Sequence, residues 1–122
     1  MTDPTADAAA RYGLDQMPHT LCWAILTPGQ TADELATLTT WVDWLRDRYQ
    51  LDHRTIPGCW PQHGDLVEEL SALRTAWQAA YNGAGRPDAP LTWHTHLDAT
   101  RTRCTQSVAG TGCRHGEHRG HL

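Results

Sequence analysis

A chain of 122 residues with 39% hydrophobic content is the size of one domain with its own core, and no segment approaches the roughly 20 apolar residues of a membrane helix. The formal charge of −4 argues against a general nucleic-acid coat protein, although residues 101–122 alone sum to +3. The polar, acidic start lacks the basic and apolar regions of a signal peptide, so a cytoplasmic protein with four reduced cysteines and no membrane contact is expected.

Residues 1–20, rich in Ala, Asp, Thr and Pro, read as a disordered leader. Leu21–Leu26 is a short apolar run before the Pro28-Gly29 turn signal, and its length fits a strand or a buried helical turn. Thr31 with Glu34 is a capping-box pattern. Leu35, Leu38, Val42, Leu45 and Tyr49 then recur every three or four residues, predicting a helix over 32–49 with Trp41 and Trp44 beside its stripe. Residues 51–64 form a connection broken by Pro57, Gly58 and Pro61, in which Ile56, Cys59 and Trp60 favour burial.

Asp65 and Glu68 open a second helix striped by Leu66, Leu70, Leu73, Trp77 and Tyr81, and Asn82-Gly83 is its stop. Asp88 and Pro90 then start a third, with Trp93, His94, Leu97, Arg101 and Cys104 repeating less cleanly. Beyond Cys104 no periodicity remains. The expected organisation is a leader at 1–20, a helical domain at 21–104 and a Gly/His/Arg-rich tail at 105–122. The fold class is all-α: a small three-helix bundle with an N-terminal extended segment and a flexible C-terminal tail.

Four blocks follow one another here: Trp41 to Tyr49, Ile56 to His63, Leu66 to Arg74 with Trp77 and Ala80-Tyr81, and Trp93-His94. With Thr111-Gly112-Cys113 near the end, this succession resembles an uncharacterised family of high-GC Gram-positive bacteria, often encoded on plasmids and on conjugative or integrated mobile genetic elements. The resemblance covers roughly residues 21–118; Gly58 stands where many relatives have a second proline. It implies a mobile-element setting and carries no catalytic residues or cofactor.

The chemistry on offer is sparse. Cys104, Cys113, His115 and His118 bring nitrogen and sulfur donors together near the C-terminus, and zinc takes four of these in a tetrahedron. Cys113 and His118 have a ligand-like spacing, whereas Cys104 to Cys113 is long and no C-x-x-C occurs. The expectation is no cofactor, with zinc on those four residues as the metal alternative. Cys59 and His63 have the residue types of a nucleophile and base, but no third group orients them, so a buried structural cysteine is expected. Asp43 with Asp47 reads as a solvated helix face, and Glu68 as a cap.

No constellation supports an enzyme, and a non-enzymatic interaction or accessory protein is expected. Six tryptophans exceed what one small core requires, so Trp60, His63, Trp93 and His94 are the expected aromatic surface for a protein partner. The alternative is a nucleic-acid-binding accessory protein using Arg101, Arg103, Arg114 and Arg119, ordered by zinc.

Overall fold

The computed structural model describes residues 4–83, 85–113 and 118. Their regular structure is helical throughout: α1 (Pro4–Tyr12), α2 (Pro28–Arg48), α3 (Gly64–Tyr81) and α4 (Ala89–Thr111), with single 3-10 turns at Trp23–Ile25 and Trp60–Gln62. No strand occurs among the described residues. The apolar run near residue 21 therefore resolves into a turn. None of these helices is long and apolar enough to cross a membrane.

The all-α expectation holds, with an additional helix at the start. Part of the stretch read as a disordered leader is α1, and it is anchored. Tyr12 packs on Trp44 at 5.7 Å between ring centroids and edge-on against Trp77 at 6.4 Å. Arg74 Nη2 donates to the Tyr12 carbonyl at 3.2 Å, and Gln78 Nε2 to that of Gly13 at 2.9 Å. Gly13 ends the helix at φ +80, a left-handed conformation that glycine adopts without strain.

α2 starts one turn earlier than the Thr31–Glu34 signal. Thr27 caps it instead: its hydroxyl accepts from the Gln30 backbone N–H, and the Gln30 side chain accepts from the Thr27 N–H. Pro28 fills the first helical position, where its missing N–H has no consequence. α2 contributes Leu38, Trp41, Val42 and Leu45 to the core. α3 contributes Leu66, Val67, Leu70, Leu73 and Trp77.

α4 continues beyond Cys104 to Thr111, so the expected boundary of the tail falls inside a helix. Its buried face, Trp93, Leu97, Thr100, Cys104 and Val108, keeps a three-to-four residue repeat once Thr100 is counted as an inward-facing residue. α4 packs chiefly on α3. Two polar contacts stitch this seam: Ser107 donates to Asp65, and Arg103 Nε donates to Glu69 Oε1 at 2.8 Å. Both helices thereby bring their far ends to one corner of the molecule, where α3 begins and α4 stops.

Candidate metal centre

At that corner four side chains converge. Cys59, His63, Cys113 and His118 each point one donor atom into a common space, and these atoms all lie within 4.8 Å of one another. His63 Nε2 is 3.5 Å from Cys59 Sγ and 3.6 Å from Cys113 Sγ; His118 Nδ1 is 3.8 Å from Cys113 Sγ. Cys59, His63 and Cys113 are buried, while His118 is exposed.

The local sequence explains each half. Pro57 begins a run of tight turns: Trp60 N–H donates to the Pro57 carbonyl at 3.0 Å, Gln62 to Cys59 at 2.9 Å and His63 to Trp60 at 3.0 Å. This curl brings Cys59 and His63 onto one side. Trp60, 2% exposed, anchors the turn in the core. The second half is set by the end of α4. Gly112 turns left-handed at φ 80, and Cys113 N–H donates to Thr111 Oγ1 at 3.1 Å. Cys113 then lies fully buried, and the imidazoles of His63 and His118 sit 5.1 Å apart between centroids.

These separations fit a tetrahedral metal. Bonds of 2.3 Å to sulfur and 2.0–2.1 Å to nitrogen at the tetrahedral angle imply donor separations of about 3.6 Å for S···N and about 3.8 Å for S···S. The three S···N distances fall on or near the first value. Thiol–imidazole hydrogen bonds account for any single pair, but not for four donors sharing one centre. The cluster could hold a metal ion.

Electrostatics pull in two directions here. Burial, and then the hydrogen bond and proximity of Cys113, raise the Cys59 thiol above its ordinary pKa. Without a cation Cys59 therefore favours the neutral form, and a metal would displace its proton. The start of α3 immediately after His63 helps this, because unpaired helix N–H groups favour thiolate. Asp65 is held below the usual carboxylate range, mainly by the Ser107 hydrogen bond.

The four-residue zinc set read from the sequence is thus half retained. Cys113 and His118 are in the cluster. Cys104 is not: it faces a pocket of Leu45, Leu51, Ile56, Leu70, Leu73 and Leu97, where burial pushes its thiol up to about 12. Cys104 sits about two turns back from the end of α4, and its sulfur is not among the converging donors. His115 lies outside the described residues. The missing half is Cys59 with His63, considered above only as a nucleophile and base. Its signal was a Cys-x3-His spacing that matches the Cys-x4-His of residues 113 and 118.

The expected aromatic partner surface is also corrected. Trp60 and Trp93 are 2% and 1% exposed, and the Trp93 indole N–H donates to the Leu73 carbonyl at 3.1 Å. Both rings belong to the buried core, where Trp93 packs against Tyr49 at 5.7 Å and edge-on against Tyr81 at 6.3 Å. His63 is a cluster donor, and only His94 of that set is exposed, bonded through Nε2 to Tyr49 OH at 3.1 Å. Of the basic set, Arg101 is exposed and Arg103 is engaged by Glu69; Arg114 and Arg119 lie outside the described residues. A polar cleft of about 470 Å³ between α1, α2 and α3, lined by Arg11, Glu34 and Arg74 among others, contains no cysteine.

The chain matches no family model, no curated protein and no solved structure in the three comparisons made.

Proposed function

We propose that the chain is a zinc-stapled helical module with a structural rather than catalytic metal, acting as an accessory protein that binds another protein. The observation that carries this reading is the convergence of four protein donors within 4.8 Å of one another, with three S···N separations near the tetrahedral value. Two sulfurs and two nitrogens favour zinc over the hard cations that prefer oxygen. Four protein ligands complete the tetrahedron, whereas catalytic zinc keeps a position for water or substrate. The ion would join residues 59 and 63 to residues 113 and 118, closing a loop over the second half of the chain.

A protein partner is favoured over nucleic acid because Glu69 already neutralises Arg103, leaving less basic surface for phosphate. Leu91, 73% exposed on α4, and His94 offer an outer contact in place of the buried tryptophans. The resemblance of the sequence blocks supports a mobile-element setting, and a reducing cytoplasm suits thiolate ligands.

Elemental analysis of purified protein tests the metal directly. One zinc per chain is expected, together with a tetrahedral cobalt spectrum showing sulfur-to-metal charge transfer after exchange. A metal-free chain that takes up neither ion would overturn the reading.

A further inference from the structure

We propose that Cys59 and Cys113 form a peroxide-reactive pair, oxidised to a disulfide that dismantles the metal centre and releases its ion. The proposal rests on the zinc reading, because two metal-bound thiolates are far better nucleophiles than buried neutral thiols.

Three observations support it. The two sulfurs belong to segments distant in sequence yet lie within 4.8 Å of each other. His63 Nε2 lies 3.5 Å from one and 3.6 Å from the other, and the two thiols are themselves within hydrogen-bonding reach of each other. Their exposures differ: Cys59 is 8% exposed and Cys113 is 0%. A small oxidant therefore meets Cys59 first, and Cys113 is placed to resolve the product.

The chemistry balances with hydrogen peroxide as the oxidant. The Cys59 thiolate attacks one peroxide oxygen, the O–O bond breaks, hydroxide leaves and a sulfenic acid remains on Cys59. The Cys113 thiolate then attacks that sulfur, the S–O bond breaks, and a second hydroxide leaves as the S–S bond forms. Two thiolates have lost two electrons, peroxide has gained them, and two protons from solvent convert both hydroxides to water. His63 and His118 remain as two nitrogen donors, half the number a structural zinc site uses, and the ion departs. The disulfide still joins the same two segments, so the corner stays closed in both states, by metal when reduced and by sulfur when oxidised.

The other two cysteines serve as internal contrasts. Cys104 is buried among leucines and belongs to no donor cluster, and Cys22 is exposed and likewise outside the cluster. The test uses the full zinc-loaded chain carrying Cys22→Ser, which prevents links between chains. Hydrogen peroxide is added, zinc is followed with a chromogenic chelator, and cysteine states are mapped by mass spectrometry. The expected result is release of the full zinc equivalent, a Cys59–Cys113 linked peptide lighter by two hydrogens, and an unmodified Cys104. A dithiol reductant with added zinc restores the loaded form.

Zinc retained under peroxide, or lost with Cys59 over-oxidised and no link to Cys113, overturns the proposal while leaving the metal reading intact. A chain that never binds zinc removes both, and the elemental analysis made before oxidation identifies that case. Cys104→Ala, which lies outside the centre, is expected to leave release unchanged.

Discussion

Cys104 lies on α4 and Cys113 just beyond its end, yet their neighbours give them opposite chemistry. Cys104 faces leucines, and burial pushes its thiol up to about 12 despite the opposing charge of Arg103. Since the thiolate is the reactive species, alkylation of native Cys104 at pH 8 should run roughly a thousandfold slower than that of the same cysteine in the unfolded chain. Iodoacetamide labelling with and without denaturant measures this. The same shift sets a pH dependence. Below the ordinary thiol range both folded and unfolded Cys104 are protonated and its contribution is fully present. As pH rises from there toward about 12, only the unfolded thiol ionises, so stability falls. Cys104→Ala should flatten that alkaline decline in urea titrations. Among the four cluster donors His118 is the exposed one. His118→Ala should therefore leave the helices intact and weaken zinc by more than the roughly 10–100-fold lost with an outer-shell partner, read by competition with a calibrated chelator.

At the scale of elements, what was legible in the sequence was periodicity. α2 and α3 were visible because leucine, valine and tryptophan recur on one face, and their buried sides match those stripes. The last turns of α4 were hidden because its inward positions include Thr100, a residue that reads as polar, so the link to Val108 was lost. α1 was hidden for a different reason. It carries few apolar residues of its own and is held by Tyr12 and by donors from α3 that no local pattern announces. That attachment depends on Gly13. A Cβ there would lie 2.6 Å from both Arg74 Nη2 and Gln78 Nε2, on a backbone already at φ +80. Gly13→Ala should destabilise the protein by about 1–3 kcal/mol, and proteolysis should detach α1 first. Trp93 discriminates core from interface in the same way. Trp93→Ala should cost about 3–5 kcal/mol in unfolding titrations, whereas an exposed interface residue would leave stability unchanged and alter only binding.

For the whole molecule the decisive contact is the one that joins the segment at Cys59 and His63 to the distant segment at Cys113 and His118. Spacing marked Cys113 with His118 as a ligand-like pair, whereas Cys59 beside His63 read as a structural cysteine, and only packing of α4 along α3 brings the two pairs to one centre. No local rule could pair them, because the register between the two helices is set by side chains such as Asp65 with Ser107 and Glu69 with Arg103. The same logic fixes how a zinc-loaded chain should respond to chelation. Metal that binds the folded chain alone stabilises it by about 4 kcal/mol when free ion exceeds the dissociation constant a thousandfold. Chelation should then lower the melting temperature by roughly 10 °C or more. The core of Trp41, Leu45, Leu70 and Leu97 lies in the buried cluster independently of those four donors, so the helices should persist in circular dichroism at low temperature. What should open is the corner itself, with protease cleavage after chelation concentrated beyond Thr111. Cleavage spread evenly along the chain would instead mean that the ion holds up the entire fold, and that the helical core is too weak to stand without it.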